Sequence, residues 1–187
     1  LREAEREIVF EEFSDRENEI VTGVIQRIEP KQITLDLGRT EAILPSTEQV
    51  RTEHYRTGQR VKVYILGVHR TAKGPQVVVS RTHRNLLRRL LELKVPEQHQ
   101  GAIELKAIDR EAGQRSKIAV SALQEGIDPI CSCVGLRGIR IQNIVNELNG
   151  EKIDVVQWDA DSSAFIANAL SPAQVESVTV NNEDKVA

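Results

Sequence analysis

The sequence has 187 residues, which is enough for two small domains or one domain of ordinary size. Its net charge of −3 gives no whole-chain signal for nucleic-acid binding, and an aromatic content of 3% argues against a site built mainly on base stacking. No apolar run approaches the ~18–20 residues that span a bilayer, and the charged start of the chain is not typical of a signal peptide, so we expect a protein of the reducing cytoplasm with no membrane partner.

The first half of the chain predicts one helix followed by strands. Residues 2–13 are acidic and predict a helix, which Ser14 and Asp15 interrupt. Alternating apolar and polar residues then predict five short strands, at residues 21–28, 33–37, 42–44, 61–65 and 77–79. Five short strands without a long helix between them favour a small closed barrel.

The second half mixes helices with strands. A stripe of leucines predicts a helix over residues 81–93, and alternation predicts a hairpin with arms at 103–107 and 118–120. The elements predicted after the hairpin are a short helix between Asp128 and Gly135, a helix after Gly138, a strand at 153–156, a helix capped by Asp161 or Ser162 and ended by Pro172, and a strand at 175–180.

Charge is distributed unevenly along the chain. Residues 1–19 carry three basic and eight acidic side chains, whereas residues 20–82 carry ten basic and five acidic ones. Residues 153–187 are again acidic, with one basic and six acidic side chains. A basic middle between acidic ends can attract an anionic partner, but an ordinary solvated surface explains the same pattern equally well.

The tetrapeptide Gly135-Leu136-Arg137-Gly138 is the most informative motif. Two glycines allow a tight turn and a close approach to another backbone. The free amides at the start of the following helix favour an anion, and Arg137 and Arg140 add positive charge. Such a G-x-x-G loop suits a sugar–phosphate backbone, although taken alone it is equally the corner between two packed helices.

The order strand, strand, helix, G-x-x-G, helix, strand is similar to the type II KH fold. Longer motifs are more specific, and through them the chain resembles the RNA-binding part of the NusA family of bacterial transcription factors. These motifs are EIVTGVIQRIE, LDLGRTEAILPSTEQ, YRTGQRVKVYILGV, KAIDREAGQRSKIAV and DPICSCVGLRGIRIQNIVNELNG. The resemblance implies an all-β, five-stranded OB-fold barrel of the S1 type at residues 19–82, followed by an α+β KH domain of type II at residues 83–174.

The resemblance also has implications for both ends of the chain. Residues 1–18 are expected to be the end of a connector helix from an N-terminal domain that contacts RNA polymerase, and residues 175–187 to begin a second KH domain. The sequence contains no Met and begins with Leu1, which agrees with a piece of a longer protein.

Nascent single-stranded RNA is the ligand that the resemblance implies, held during transcription elongation, termination and antitermination. The expected RNA contacts lie in the G-x-x-G loop, in the hairpin and on the barrel. They are Val134, Gly135, Leu136, Arg137, Gly138 and Arg140 in the loop, Arg115, Ser116 and Lys117 in the hairpin, and Arg27, Lys31, Arg39, Arg70 and Lys73 on the barrel. The hairpin residues equally suit a polar turn, and each barrel residue taken singly is more typical of solvated surface charge than of an RNA contact.

The sequence offers no catalytic motif, so we expect no enzyme activity, no cofactor and no metal. Cys131 and Cys133 are too few to form a four-ligand zinc site and are expected to pack structurally. A fragment of an RNA-processing enzyme is one alternative, because polynucleotide phosphorylase also pairs KH and S1 modules, but in the opposite order. A scaffold that docks on RNA polymerase or ribosomal partners is another, and we expect a monomer in each case.

Overall fold

The computed structural model describes residues 2–170 and 173–180. Its helices are α1 (Arg2–Ser14), α2 (Arg84–Lys94), α3 (Pro96–His99), α4 (Pro129–Val134), α5 (Ile139–Glu147) and α6 (Ser162–Ala169). Its strands are β1 (Ile20–Ile28), β2 (Gln32–Asp36), β3 (Glu41–Pro45), β4 (Arg60–Thr71), β5 (Gly74–Ser80), β6 (Ile103–Glu111), β7 (Arg115–Ala122) and β8 (Lys152–Gln157). No helix in these residues is both long and apolar enough to cross a membrane.

The chain divides into two compact units. The first contains the described residues up to Leu90 together with Ala112–Gln114 and Glu147–Gly150, and the second contains Leu91–Glu111, Arg115–Asn146 and the described residues from Glu151 onward. The boundary therefore falls inside α2. The domain limits expected from the sequence, at 82/83 and 174/175, stay predictions.

The first unit is built on a closed barrel with strand order β1-β2-β3-β5-β4. All its neighbouring strands are antiparallel except β3 and β5, which are parallel. Alternate side chains point inward because successive residues of a strand face opposite sides, and Leu35, Leu44 and Val63 are fully buried in this way. The predicted five-stranded barrel of the S1 type is confirmed.

Helix α1 packs on this barrel through apolar side chains in its C-terminal half. Phe13 is only 2% exposed and belongs to the barrel core, against which Val9 and Phe10 are partly buried. Burying a phenylalanine contributes about 2 kcal/mol. The acidic helix predicted at the start of the chain is thus part of the same compact unit as the barrel.

A buried ion pair lies at the end of the barrel. Arg81 and Glu53 form it, with their side chains 1% and 2% exposed, and Arg81 also donates to the carbonyl of Lys62 at 2.8 Å. The leucine-rich helix was predicted to start at residue 81, but Arg81 precedes the helix and belongs to this ion pair. The helix begins instead at Arg84, after Ser80 has accepted hydrogen bonds from the amides of Thr82 and His83.

The second unit is α+β. Its sheet has the order β6-β7-β8, in which β6 and β7 form an antiparallel hairpin and β7 and β8 are parallel. A parallel pair needs a crossover connection, and α4 and α5 provide it. This is the predicted order of elements of the type II KH fold, and the fold class is confirmed.

The strand predicted at 175–180 is wrong, because the structure has no strand among residues 173–180. A strand requires a neighbouring backbone to satisfy its amides and carbonyls, and no element of the described residues pairs with this segment. Pro172, predicted to end α6, and residues 181–187, which belong to the predicted start of a second KH domain, lie outside the described residues.

Candidate nucleic-acid interface

Asp128 caps the short helix that leads into the G-x-x-G loop. Its carboxylate accepts hydrogen bonds from the amides of Ile130 at 2.9 Å and Cys131 at 3.1 Å, and Pro129 occupies the first helical position. These bonds to Cys131 and Ile130 hold the pKa of Asp128 below its usual value. The cap fixes where α4 begins and hence where the loop follows it.

The loop backbone runs through the left-handed region at three successive turning points. Gly135 has φ 76° and ψ 175°, Arg137 has φ 55° and ψ 26°, and Gly138 has φ 73°. The Gly135 conformation is open essentially only to glycine. A left-handed arginine costs about 1–2 kcal/mol, so the rest of the loop must hold Arg137 in place.

The tip of the loop presents apolar and cationic side chains together. Leu136 is 85% exposed, and Ile139, the first residue of α5, is 60% exposed. Arg137 is exposed beside them and forms no ion pair with any described residue. Apolar surface next to an unpaired cation suits a ligand that combines flat, weakly polar bases with phosphates.

Arg140 lies behind the loop rather than at its tip. It donates to the Glu97 carboxylate at 2.7 Å and to the carbonyl of Ser132 at 2.6 Å. The pKa of Glu97 is lowered, first by a hydrogen bond from its own amide and then by Arg140. Arg140 therefore connects α4 to α3 behind the loop through these two hydrogen bonds. Its predicted contact with RNA gains no support from this placement.

The predicted hairpin contacts lie at the start of β7. Arg115 forms an ion pair with Asp154, and Lys117 donates to the carbonyl of Ala169. Ser116 is 1% exposed, which gives its predicted RNA contact no support. These three contacts stay predictions, as does that of Val134, the half-buried last residue of α4.

Two of the predicted barrel residues line one groove. Arg27 and Lys73 lie in a groove of about 420 Å³ on the barrel face, together with Gln32, Thr34 and Ile43. Lys31, which is exposed, belongs to the β1–β2 turn, and Lys73 belongs to the β4–β5 turn. In OB-folds the face of strands 2 and 3 and these two turns bind oligonucleotides.

The other two barrel residues are already paired. Arg39 contacts Glu12 of α1 at 2.5 Å, and Arg70 contacts Glu7 of α1 at 2.5 Å, with its guanidinium 4.3 Å from the centre of the Phe10 ring. The sequence analysis did not identify these partners. The opposite charges of residues 1–19 and 20–82 were the available signal, but they do not specify which side chains meet.

Fold and site together define a class of protein, one that joins an S1-type barrel to a KH domain. Residues 14–80 match the family described as "S1 RNA binding domain", and residues 81–158 match "NusA-like first KH domain". The chain belongs to the NusA family of bacterial transcription factors.

Three relatives, each named transcription termination/antitermination protein NusA, illustrate this similarity. The chain is 54% identical to the relative from Bacillus subtilis and 53% identical to that from Halalkalibacterium halodurans, in both cases over 99% of this chain. It is 47% identical to the relative from Thermus thermophilus over 100% of this chain. The matches cover 50%, 48% and 49% of those relatives, so the chain spans about half their length.

Proposed function

We propose that this chain is the RNA-binding region of a transcription elongation, termination and antitermination factor. It holds single-stranded RNA as the RNA emerges during transcription. The Gly135–Gly138 loop grips the sugar–phosphate backbone, and the barrel groove adds further phosphate contacts. The role is binding without catalysis, in agreement with the transcription-factor names of its relatives.

One observation carries this proposal. The loop holds Arg137 in the left-handed region beside the exposed Leu136, and Arg137 forms no ion pair with a described residue. A folded protein retains strained backbone where the surrounding structure requires it, and such positions cluster at ligand sites. Apolar and cationic groups at one loop tip match the two chemical parts of a nucleotide.

RNA polymerase is the protein partner that we propose for the whole protein, as the family implies. A monomeric state and a cytoplasmic location are proposals of the same kind.

The test is a binding titration of a labelled single-stranded RNA of about a dozen nucleotides, followed by fluorescence anisotropy at several salt concentrations. The variant Leu136→Asp/Arg137→Asp removes the apolar tip and reverses the charge. We expect its affinity to fall at least about tenfold, because a phosphate contact becomes a repulsion. Circular dichroism checks that the variant is folded.

The control is Leu93→Asp/Arg88→Asp, which makes the same change in composition and charge at exposed positions of α2. We expect this variant to bind nearly as well as the wild type. Equal losses in both variants would mean that overall charge, not the loop, determines binding. No binding by the folded wild type, with retained binding to polymerase, would favour the protein-interaction scaffold.

A further inference from the structure

A second groove in the first unit continues the barrel groove onto α1. It has a volume of about 300 Å³ and is lined on the helix side by Arg2, Glu5, Arg6 and Val9. Its other wall is shared with the barrel groove, since Thr40, Lys73, Gly74 and Pro75 line both. The tip of the β4–β5 hairpin is therefore a common edge between two open grooves.

The α1 face that packs on the barrel changes character along the helix. Residues Arg2, Arg6, Val9 and Phe13 recur at the spacing that brings side chains onto one helical face. The end of this face is apolar, and Phe13 enters the barrel core. Its beginning is cationic: the Cγ, Cδ and Nε atoms of Arg6 would each lie 3.7 Å from a Cβ on Gly74, so the Arg6 side chain runs along the hairpin tip.

Two acidic residues of α1 pair with barrel arginines and not with Arg2 or Arg6. Glu7 forms an ion pair with Arg70, and Glu12 forms one with Arg39, each at 2.5 Å. Neither Arg2 nor Arg6 forms an ion pair with a described residue, and the same holds for Arg27 and Lys73.

The two grooves together have an excess of positive charge. Four cations that form no ion pair with a described residue line them, together with Arg39, which pairs with Glu12, against the carboxylates of Glu5 and Glu41. An extended polyanion fits such a surface better than a small ligand does, because the positive charges follow one another along an open path.

We infer that Arg2 and Arg6 of α1 are part of the RNA-binding surface and contact phosphates of single-stranded RNA that continues from the barrel groove past Lys73. This inference rests on the proposed RNA-binding function and extends it to a helix whose composition is acidic. The helix thereby acts as one wall of an RNA groove as well as a connection between segments of the chain.

The test compares the variant Arg2→Ala/Arg6→Ala with the control Arg51→Ala/Arg84→Ala, using the same labelled RNA and salt series. The control removes two exposed arginines of the same unit that line neither groove and have no ion-pair partner among the described residues. Each phosphate contact to single-stranded RNA contributes about 0.7 to the slope of log K against log salt. We therefore expect the slope to fall by about 1.4 in the groove variant and to change much less in the control.

A charge-preserving variant, Arg2→Lys/Arg6→Lys, should keep most of the slope, and circular dichroism should show α1 intact in all variants. If the groove variant and the control give equal slopes while Leu136→Asp/Arg137→Asp still weakens binding at least about tenfold, the inference is overturned and the proposed function stands. If the wild type binds no RNA, the proposed function itself fails. A polyglutamate peptide provides the last comparison. If Arg2→Ala/Arg6→Ala loses binding to this peptide but keeps the wild-type salt slope for RNA, the inference is overturned, since the groove would then be a site for an acidic protein segment.

Discussion

The two glycines of the G-x-x-G loop have different physical tasks. A Cβ on Gly135 would lie 2.7 Å from Cγ and 2.9 Å from Cδ of Arg140, which is itself held by Glu97 and Ser132. A Cβ on Gly138 would have its nearest neighbour at 3.9 Å, on Val134. Gly135 is needed for space as well as for backbone freedom, whereas Gly138 is needed for backbone freedom alone.

This difference predicts unequal effects of alanine substitution. Gly135→Ala should destabilise the protein by about 3 kcal/mol, because it combines a disfavoured conformation with a clash that displaces Arg140. Gly138→Ala should cost about 1 kcal/mol, from the left-handed conformation alone. Urea denaturation monitored by the fluorescence of Trp158, the single tryptophan, measures both values. Equal losses would contradict the assigned role of Arg140.

Helix α1 contacts the barrel through two ion pairs and through Phe13. Its ion pairs join exposed side chains, so each contributes at most about 1 kcal/mol, and the helix is held mainly by Phe13 in the barrel core. We expect those pairs to weaken ligand binding, because each one places a carboxylate beside a barrel arginine.

Releasing one of these arginines should strengthen RNA binding. Glu7→Gln removes the charge that pairs with Arg70, so Arg70 becomes available to a phosphate, and we expect affinity to rise about threefold at low salt. Glu11→Gln is the matched control, since it removes the same charge from an exposed residue of α1 that has no ion-pair partner among the described residues. Anisotropy titrations of the two variants decide the point: identical gains would mean that only long-range charge matters.

At the scale of the whole molecule, a deeply buried ion pair lies among the described residues of each compact unit. Arg81 and Glu53 form it in the first unit, and Arg110 and Glu151 form it in the second, where both side chains are at most 1% exposed and the closest contact is 3.1 Å. Removing one partner of such a pair leaves the other charge buried without compensation. Each unit is therefore sensitive to the loss of either partner, even though an intact buried pair adds little net stability.

Neutralising one acid should destabilise the unit that contains it. Glu151→Gln is expected to cost about 3 kcal/mol in the second unit, since Arg110 stays charged and buried. Trp158 belongs to that unit, so the midpoint of its fluorescence transition in urea should shift to lower denaturant. Glu53→Gln should act in the first unit, where amide hydrogen exchange of β1 is the readout. An unchanged Trp158 transition in Glu151→Gln would contradict this account.

Local patterns in the sequence were sufficient for the strands of the closed barrel, the hairpin, the helices on either side of the G-x-x-G loop and the loop itself, whereas α3 was not predicted. Alternation, helical spacing, caps and glycines act over a few residues, so they can be read from the chain without knowing its fold. The failed strand at 175–180 marks the limit of this reasoning, since alternation says nothing about whether a pairing partner exists.

Only the tertiary structure shows which charged residues pair with one another. The sequence predicted Arg39, Arg70 and Arg140 as RNA contacts, but Glu12, Glu7 and Glu97 hold them in ion pairs. It did not predict Arg2 and Arg6, which line an open groove and form no ion pair with a described residue. Ion pairs join residues that are 27, 63 and 43 positions apart, and no local pattern records such a distance. The family and the fold could thus be deduced from the residues in order, whereas the charge that an RNA would meet depends on which of them the fold brings together.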